Sequence, residues 1–302
     1  MSIQSLFRKS LTFTIAVAAL SWGCGDSSTT NGAGDDHSAA TEGATLAQRT
    51  KTLKKIFRAA PSPMETARII QKEGLPFNAD YLCNLSLADQ DGMSTDHAIH
   101  LGLYGADVSY ASIFQKNAEA LQYLEAVKTL SKELGVGSIL SEDIVARAEE
   151  NRANKDTIVT IVSSAFFELN QQLKEAGNND LSGLIVAAGW VEGLYLATRE
   201  LDGATDGLKQ AIAEQKLILE DVLKLINSYS DSDAIKSMIS QLEPVRKAFD
   251  GVKSSEDANT TSENKEGVIV IRGGKELKAD DETILAISEA IALVRNNLAK
   301  AS

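Results

Sequence analysis

Two stretches of this chain, HLGLYGADVSYA at residues 100–111 and AAGWVEGLYLATRE at residues 187–200, place glycines and aromatic residues inside long apolar segments. A glycine in a helix interior costs about 1 kcal/mol relative to alanine, so these glycines need a structural reason. Gly189 and Gly193 lie four residues apart and therefore on one side of a helix, where they form a notch that admits a second backbone. We interpret the two stretches, the Gly–aromatic helices, as the closely packed centres of two halves of a bundle.

The rest of the chain after residue 45 has the spacing of amphipathic helices. Apolar residues recur every three or four positions, which gathers them on one face of a helix. Helix starts carry capping sequences such as SPME at residues 62–65, and stops carry glycines such as Gly74. The chain contains only four prolines, which favours long uninterrupted helices. We predict an all-α fold, a multi-helix antiparallel bundle of about nine helices forming a single domain over residues 45–302.

One region departs from the helical pattern. Residues 253–266 are polar and acidic without an apolar anchor, which predicts a mobile loop. The run VIVI at residues 268–271 then favours a short strand. We expect at most a tiny β-hairpin near residues 268–277, with the run pairing to residues 275–277.

The N-terminus has the parts of a secretory signal peptide, predicted for residues 1–23. A basic pair at residues 8–9 precedes an apolar run at residues 11–20 and then Gly23–Cys24, the order of a cleaved signal. The run is about half the ~20 residues needed to span a bilayer. Gly before Cys resembles a bacterial lipoprotein signal, which implies lipidation of Cys24. Ordinary secretion is the alternative, because small residues also precede the cleavage point.

Residues 24–44 are rich in Gly, Ser, Thr, Asp and Ala. A segment without large apolar residues cannot build a core, so we predict a flexible polar tether between Cys24 and the bundle. Five basic residues follow within residues 49–58. They indicate either a solvated first helix or a contact with an anionic membrane surface.

Four stretches resemble an uncharacterised family of predicted helical bacterial lipoproteins, common in Bacteroidetes-like envelopes: GLYGADVSYASIFQ (102–115), YLEAVKTLSKELGV (123–136), AAGWVEGLYLATRE (187–200) and VRNNL (294–298). The likeness covers most of the chain after residue 50. It implies a helical fold and a location in the bacterial envelope. It implies no activity.

Composition and motifs exclude several classes of function. The net charge of −12 argues against nucleic acid as a partner, because that binding depends on Lys and Arg neutralising phosphates. The chain has no H-E-x-x-H, G-x-S-x-G or phosphate-binding glycine motif. We therefore predict no cofactor and no enzymatic activity.

Polar residues inside the two Gly–aromatic helices form the best candidate site. Asp107 and Glu192 interrupt apolar runs, where an unpaired charge would cost several kcal/mol. Each has a tyrosine three residues later, on the same helix face. The candidate cluster comprises His100, Tyr104, Asp107, Tyr110, Trp190, Glu192 and Tyr195. Two interpretations remain open, a hydrogen-bonded structural network and a pocket for a ligand or a proton.

Histidine and cysteine give weaker signals. His97 and His100 are three residues apart, so both could face one metal ion, but two imidazoles make an incomplete site. We predict no metal site and name these two only as weak candidates. Cys83 lies among apolar residues with no nearby base in the sequence, which is typical of a small buried side chain and not of a nucleophile.

These features favour one function over two alternatives. We expect a lipid-anchored protein of the bacterial cell envelope, facing the periplasm, with the outer membrane favoured over the inner, and with a non-catalytic binding or structural role. The first alternative is a periplasmic small-ligand receptor or sensor with a polar pocket between the Gly–aromatic helices. The second is an enzyme that uses Asp107 or Glu192 as its acid or base. The sequence does not identify a protein or small-molecule partner.

Overall fold

The computed structural model of this chain describes most of the predicted bundle. The described residues are 63–140, 142–151, 154–255, 261–265, 268–272 and 276–300. The predicted signal peptide, Cys24, the tether and the basic segment at 49–58 lie outside these ranges. The described helices belong to one unit, residues 42–302.

The part of the chain that the structure describes forms nine α-helices, which confirms the predicted all-α bundle. They are α1 (Pro63–Lys72), α2 (Ser94–Ile113), α3 (Asn117–Glu133), α4 (Glu142–Glu150), α5 (Lys155–Glu175), α6 (Asn179–Ala197), α7 (Asp206–Asn227), α8 (Asp233–Ala248) and α9 (Asp281–Leu298). Two short 3-10 turns, Ala79–Tyr81 and Leu85–Asp89, lie in the loop between α1 and α2.

Local sequence sets the helix ends. The side chain of Thr205 accepts a hydrogen bond from the backbone N–H of Leu208 at the start of α7, and Asp280 does the same for α9. Such caps satisfy N–H groups that have no partner within the helix. Gly135 ends α3 and Gly177 ends α5, both with positive φ angles, a conformation that glycine adopts without steric cost.

The Gly–aromatic helices α2 and α6 are the centre of the bundle. In α2 every residue from 97 to 113 except Ile99 is buried, and in α6 only Val186 and Tyr195 between 181 and 197 are partly exposed. By length and composition α6 could also span a membrane, but 83% of its apolar window is buried inside the structure. Burial on all sides is what distinguishes a core helix from a surface helix.

Gly102 explains how closely these two helices approach. A Cβ atom added to Gly102 would lie 2.4 Å from the carbonyl oxygen of Ile185, 2.9 Å from Cβ of Ala188 and 3.0 Å from the backbone nitrogen of Gly189. No real Cβ atom tolerates such distances, so glycine is required at position 102. The predicted close approach of the two helices therefore occurs at Gly102 of α2. The notch formed by Gly189 together with Gly193 stays a prediction.

The strands differ from the prediction in their partners. The structure shows β1 (Lys253–Ser255), β2 (Thr261–Lys265), β3 (Val268–Arg272) and β4 (Glu276–Lys278). β2 pairs with β3 and β1 with β4, both antiparallel, with Lys265 opposite Val268. The prediction of a loop over 253–266 is wrong for β1 and β2, and β3 does not pair with residues 275–277. Pairing uses backbone N–H and C=O groups, so a polar strand such as β2 can pair without the apolar residues that the prediction required.

Candidate functional site: a buried cluster of acids, thiol and guanidinium

The two acids that interrupt the Gly–aromatic helices meet in the core. Asp107 lies on α2, Glu192 lies on α6, and neither side chain has any solvent exposure. One oxygen of each and the sulfur of Cys83 all lie within 4.8 Å of one another. The structure therefore brings together the pair of acids that the sequence singled out.

Arg295, from the last helix α9, neutralises Glu192. Its Nε donates to Oε2 of Glu192 at 2.9 Å, and its Nη2 donates to Oε1 at 3.3 Å. Nη2 also contacts Sγ of Cys83 and the carbonyl oxygen of Tyr81, both at 3.1 Å. Such a two-pronged pair fixes orientation as well as charge. We call Cys83, Asp107, Glu192 and Arg295 the buried cluster.

Asp107 is the acid without a positive partner of its own. Its Oδ2 accepts a hydrogen bond from the backbone N–H of Cys83 at 3.0 Å, while its Oδ1 is buried with no hydrogen-bond partner among the described residues. Burial raises the pKa of Asp107 well above its ordinary value, and the nearby Glu192 raises this pKa further. Both effects favour the neutral, protonated form of this side chain.

Glu192 is the ionised member of the pair. Burial raises the pKa of Glu192, and the guanidinium of Arg295 opposes that rise. Burial also disfavours the charged form of Arg295, yet its pKa lies above the ordinary value because Glu192 stabilises the cation. Since both carboxylate oxygens of Glu192 accept N–H bonds from Arg295, the charged form is favoured at Glu192 and the protonated form at Asp107.

Cys83 is buried, as expected, with 1% of its surface exposed. Its neighbours are polar, which local sequence did not indicate. Burial and the two nearby acids raise the pKa of the thiol well above its usual value. A neutral, enclosed thiol is a poor nucleophile.

Two tyrosines hold the loop that carries Cys83. Tyr104 of α2 donates to the carbonyl oxygen of Asn84 at 2.6 Å, and Tyr123 of α3 donates to that of Cys83. Their rings pack edge to face with centroids 5.6 Å apart. Burial raises the pKa of both phenols, so they remain hydrogen-bond donors at neutral pH.

Tyr195 lies at the edge of the buried cluster. The guanidinium of Arg295 stands 4.6 Å from the centre of its ring, and that of Arg199 stands 4.3 Å away. Tyr195 therefore contacts the cluster through Arg295, a cation–π contact that the sequence did not predict.

Two of the predicted cluster residues lie elsewhere. The hydroxyl of Tyr110 donates to the carbonyl oxygen of Pro76 and accepts from the N–H of Asn78. Trp190 donates from its indole nitrogen to Oε1 of Gln215 on α7 at 3.0 Å. Their assignment to the cluster is wrong. Helices buried on all sides present each face to a different neighbour, so residues close in sequence reach different partners.

The two histidines are also outside the buried cluster. The ring of His100 faces the backbone of Leu298 and Lys300 at the end of α9, and burial lowers its pKa. Its Nδ1 has no hydrogen-bond partner among the residues that the structure describes. Nε2 of His97 is 3.5 Å from the carbonyl oxygen of Gln90. Within the described ranges, neither belongs to the group of converging ligand atoms formed by the two acids and Cys83. The assignment of His100 to the polar cluster is wrong.

Sequence reasoning missed Arg295, although a signal was present. The apolar stripe of α9 runs through Ile284, Ile287, Ile291 and Leu298. Arg295 is eight residues after Ile287 and so falls on that stripe, just as the two acids fall on theirs. Arg295 therefore places a positive charge on the apolar face of a third helix, and this charge is the partner that the buried acids required.

The geometry limits what the buried cluster does. A general acid or base must come within hydrogen-bond reach of a substrate, and the carboxyl groups of Asp107 and Glu192 have no exposed surface. The cluster instead joins α2, α6, α9 and the loop around Cys83. In comparisons with known proteins, no family model, no curated protein and no solved structure matches this chain. The resemblance to envelope lipoproteins therefore stays a prediction.

Proposed function

We propose that this protein is a lipid-anchored protein of the bacterial cell envelope whose helical bundle has a non-catalytic binding or structural role. The anchor is a lipid on Cys24, the tether is residues 24–44, and the bundle faces the periplasm, with the outer membrane favoured. The signal-like N-terminus and the polar tether support the anchor.

The observation that carries the non-catalytic role is the closed ion pair between Glu192 and Arg295. Glu192 is fully buried and only 11% of the Arg295 side chain is exposed. The pair joins α6 to α9, and Cys83 and Asp107 complete the connection to α2. Satisfied buried polar pairs fix the register of packed helices, and in this network the satisfied pair is Glu192 with Arg295.

The small-ligand receptor has less support. The predicted polar pocket between the Gly–aromatic helices is occupied by side chains, since Tyr104, Asp107 and Glu192 are all at 0% exposure. The structure does show a pocket between Val108 of α2 and Leu124 of α3, and this pocket is lined mainly by apolar residues. A receptor that recognises a polar ligand through the two acids would need them to open.

Replacement of Cys24 tests the anchor. The Cys24→Ser variant should leave the membrane fraction, because it loses the thiol that carries the lipid, while the wild type should remain with membranes. Cys83→Ser is the matched control, since it changes the other cysteine of the chain and should still fractionate with membranes. A Cys24→Ser protein that stays membrane-bound would refute the proposed anchor.

Mass measurement of the protein released from its native envelope tests the role of the cluster. We expect no organic molecule to be held at the buried acids of the lipidated chain. A bound organic molecule that is present in the wild type, and lost in a folded Glu192→Gln variant, would contradict the structural role and favour the receptor.

A further inference from the structure

The buried cluster has the donor atoms of a metal site. Sγ of Cys83 lies 3.7 Å from Oε2 of Glu192, close to the separation of about 3.5 Å between a sulfur and an oxygen ligand on one tetrahedral zinc ion. Three atoms within 4.8 Å of one another share a centre no more than about 2.8 Å from each, so shifts of at most about 0.8 Å would bring all three to zinc–ligand distances of about 2.0–2.3 Å.

Asp107 supplies a second and independent observation. It is completely buried, and within the part of the chain that the structure describes its Oδ1 has no hydrogen-bond partner. A buried acceptor without a partner is costly and rare in folded proteins. Cation coordination would remove that cost.

Arg295 does not exclude a metal ion, because the charges balance. A thiolate and two carboxylates carry three negative charges, and one guanidinium with one divalent ion carries three positive charges. The ion would replace the protons on Cys83 and Asp107, and the cluster would stay neutral. The N–H bonds from Arg295 to Glu192 and Cys83 would then orient the ligands, as outer-shell donors do in metal sites.

We propose that the buried cluster binds one zinc ion through Sγ of Cys83 and one carboxylate oxygen each of Asp107 and Glu192. Zinc accepts thiolate and carboxylate together, whereas magnesium and calcium prefer oxygen alone. The three side chains leave one of four coordination positions for a non-protein ligand such as water. Because the site is enclosed, the ion would enter as the chain folds and would tie α2 and α6 to the loop around Cys83.

Metal analysis of the full-length wild-type chain tests the proposal. Protein produced with added Zn²⁺ and then passed through metal-free buffer should retain about one equivalent of zinc, the expected content of a closed site. Protein refolded with Co²⁺ should show the near-ultraviolet thiolate-to-cobalt charge-transfer band that marks a sulfur ligand. Retention of less than about a tenth of an equivalent of zinc, or Co²⁺ bound without that band, would overturn the proposal.

Variants assign the ligands. Cys83→Ala and Asp107→Asn should each weaken zinc binding by about 100-fold or more, since even outer-shell changes cost 10–100-fold. Tyr123→Phe is the matched control, because it removes a hydroxyl that contacts the cluster backbone but no ligand atom, and it should retain the zinc. Equal zinc content in wild type and Cys83→Ala would overturn the proposal, and the wild-type measurements decide it if a variant fails to fold. The ion pair, the anchor and the proposed function do not depend on this metal.

Discussion

At the scale of single residues, Asp107 and Glu192 differ only through their partners. Both are fully buried carboxyl groups in one cluster, but only Glu192 accepts two N–H bonds from Arg295. Arg295 therefore favours the charged form of Glu192, while burial favours the protonated form of Asp107. The same chemical change at the two positions should then have unequal effects.

We predict that Glu192→Gln costs more than Asp107→Asn in the metal-free protein. Glu192→Gln leaves the guanidinium of Arg295 buried without a counter-charge, a situation that costs about 3–5 kcal/mol. Asp107→Asn replaces a neutral acid by a neutral amide of the same shape and should change stability by about 1 kcal/mol or less. Urea unfolding in the presence of EDTA measures both values. Equal losses would contradict the assignment of the charge to Glu192.

Comparison of the wild type with Asp107→Asn also predicts how the stability of the fold changes with pH. Folding raises the pKa of Asp107, so the folded chain holds this proton more tightly than the unfolded chain. The stability from Asp107 is therefore fully present below about pH 4, the unfolded value, and declines as the pH rises towards the folded value. Asp107→Asn cannot ionise at this position, so the wild type should lose stability relative to this variant as the pH rises above about 4. A difference that grows in the opposite direction would show that Asp107 is ionised in the fold.

At the scale of elements, Gly102 controls the packing of α2 against α6. Its missing Cβ leaves room for the carbonyl oxygen of Ile185, a backbone atom that cannot rotate away. The two helices carry the two acids, so their separation also sets the dimensions of the buried cluster. The short distance between α2 and α6 depends on residues of both helices and not on either helix alone.

We predict that Gly102→Ala destabilises the bundle by about 1–3 kcal/mol, because overpacking exceeds the gain of about 1 kcal/mol in helix propensity. Gly207→Ala in α7 is the matched control. Its Cβ would meet the carboxylate of Glu73, the end of a flexible side chain that can move, so its effect should stay below about 1 kcal/mol. Thermal unfolding measures both, and a Gly102→Ala melting temperature above that of the wild type would contradict the packing argument.

At the scale of the whole molecule, the bundle and the N-terminal tether have different compositions and, we infer, different roles. The described helices bury one continuous apolar core, from Met64 in α1 to Leu298 in α9. Residues 24–44 contain no large apolar side chain that could add to it. The bundle should therefore fold without them.

We predict that a chain beginning at residue 45 folds as completely as the chain beginning at Cys24. Its circular dichroism spectrum should show the same helix content. Its melting temperature should change by no more than about 2 °C, the shift that a few tenths of a kcal/mol produce in a domain of this size. A chain beginning at Asn117, which lacks α1 and α2, is the control and should fail to fold. Loss of structure on removing residues 1–44 alone would contradict the predicted tether.

Much of the fold was predictable because the sequence signals of a helix lie within a few residues of one another. Three- and four-residue spacing, caps such as Thr205 and stops such as Gly177 depend on neighbours within a turn or two. The strands were harder, since β2 has no apolar signal and its partner β3 supplies only backbone groups. For the site, interruption of an apolar run was enough to find Asp107 and Glu192.

The residue pattern alone predicted an all-α bundle, the central position of α2 and α6, and the need of two buried acids for a partner. Which partner each acid has depends on how the helices pack. Arg295 is more than 100 residues from Glu192 along the chain, and Tyr110, Trp190 and His100 turn to other neighbours although they share helices with the acids. The physical reason is that a helix buried on every side meets several elements at once. Spacing along one helix fixes which residues share a face, but the arrangement of the other helices fixes what that face contacts.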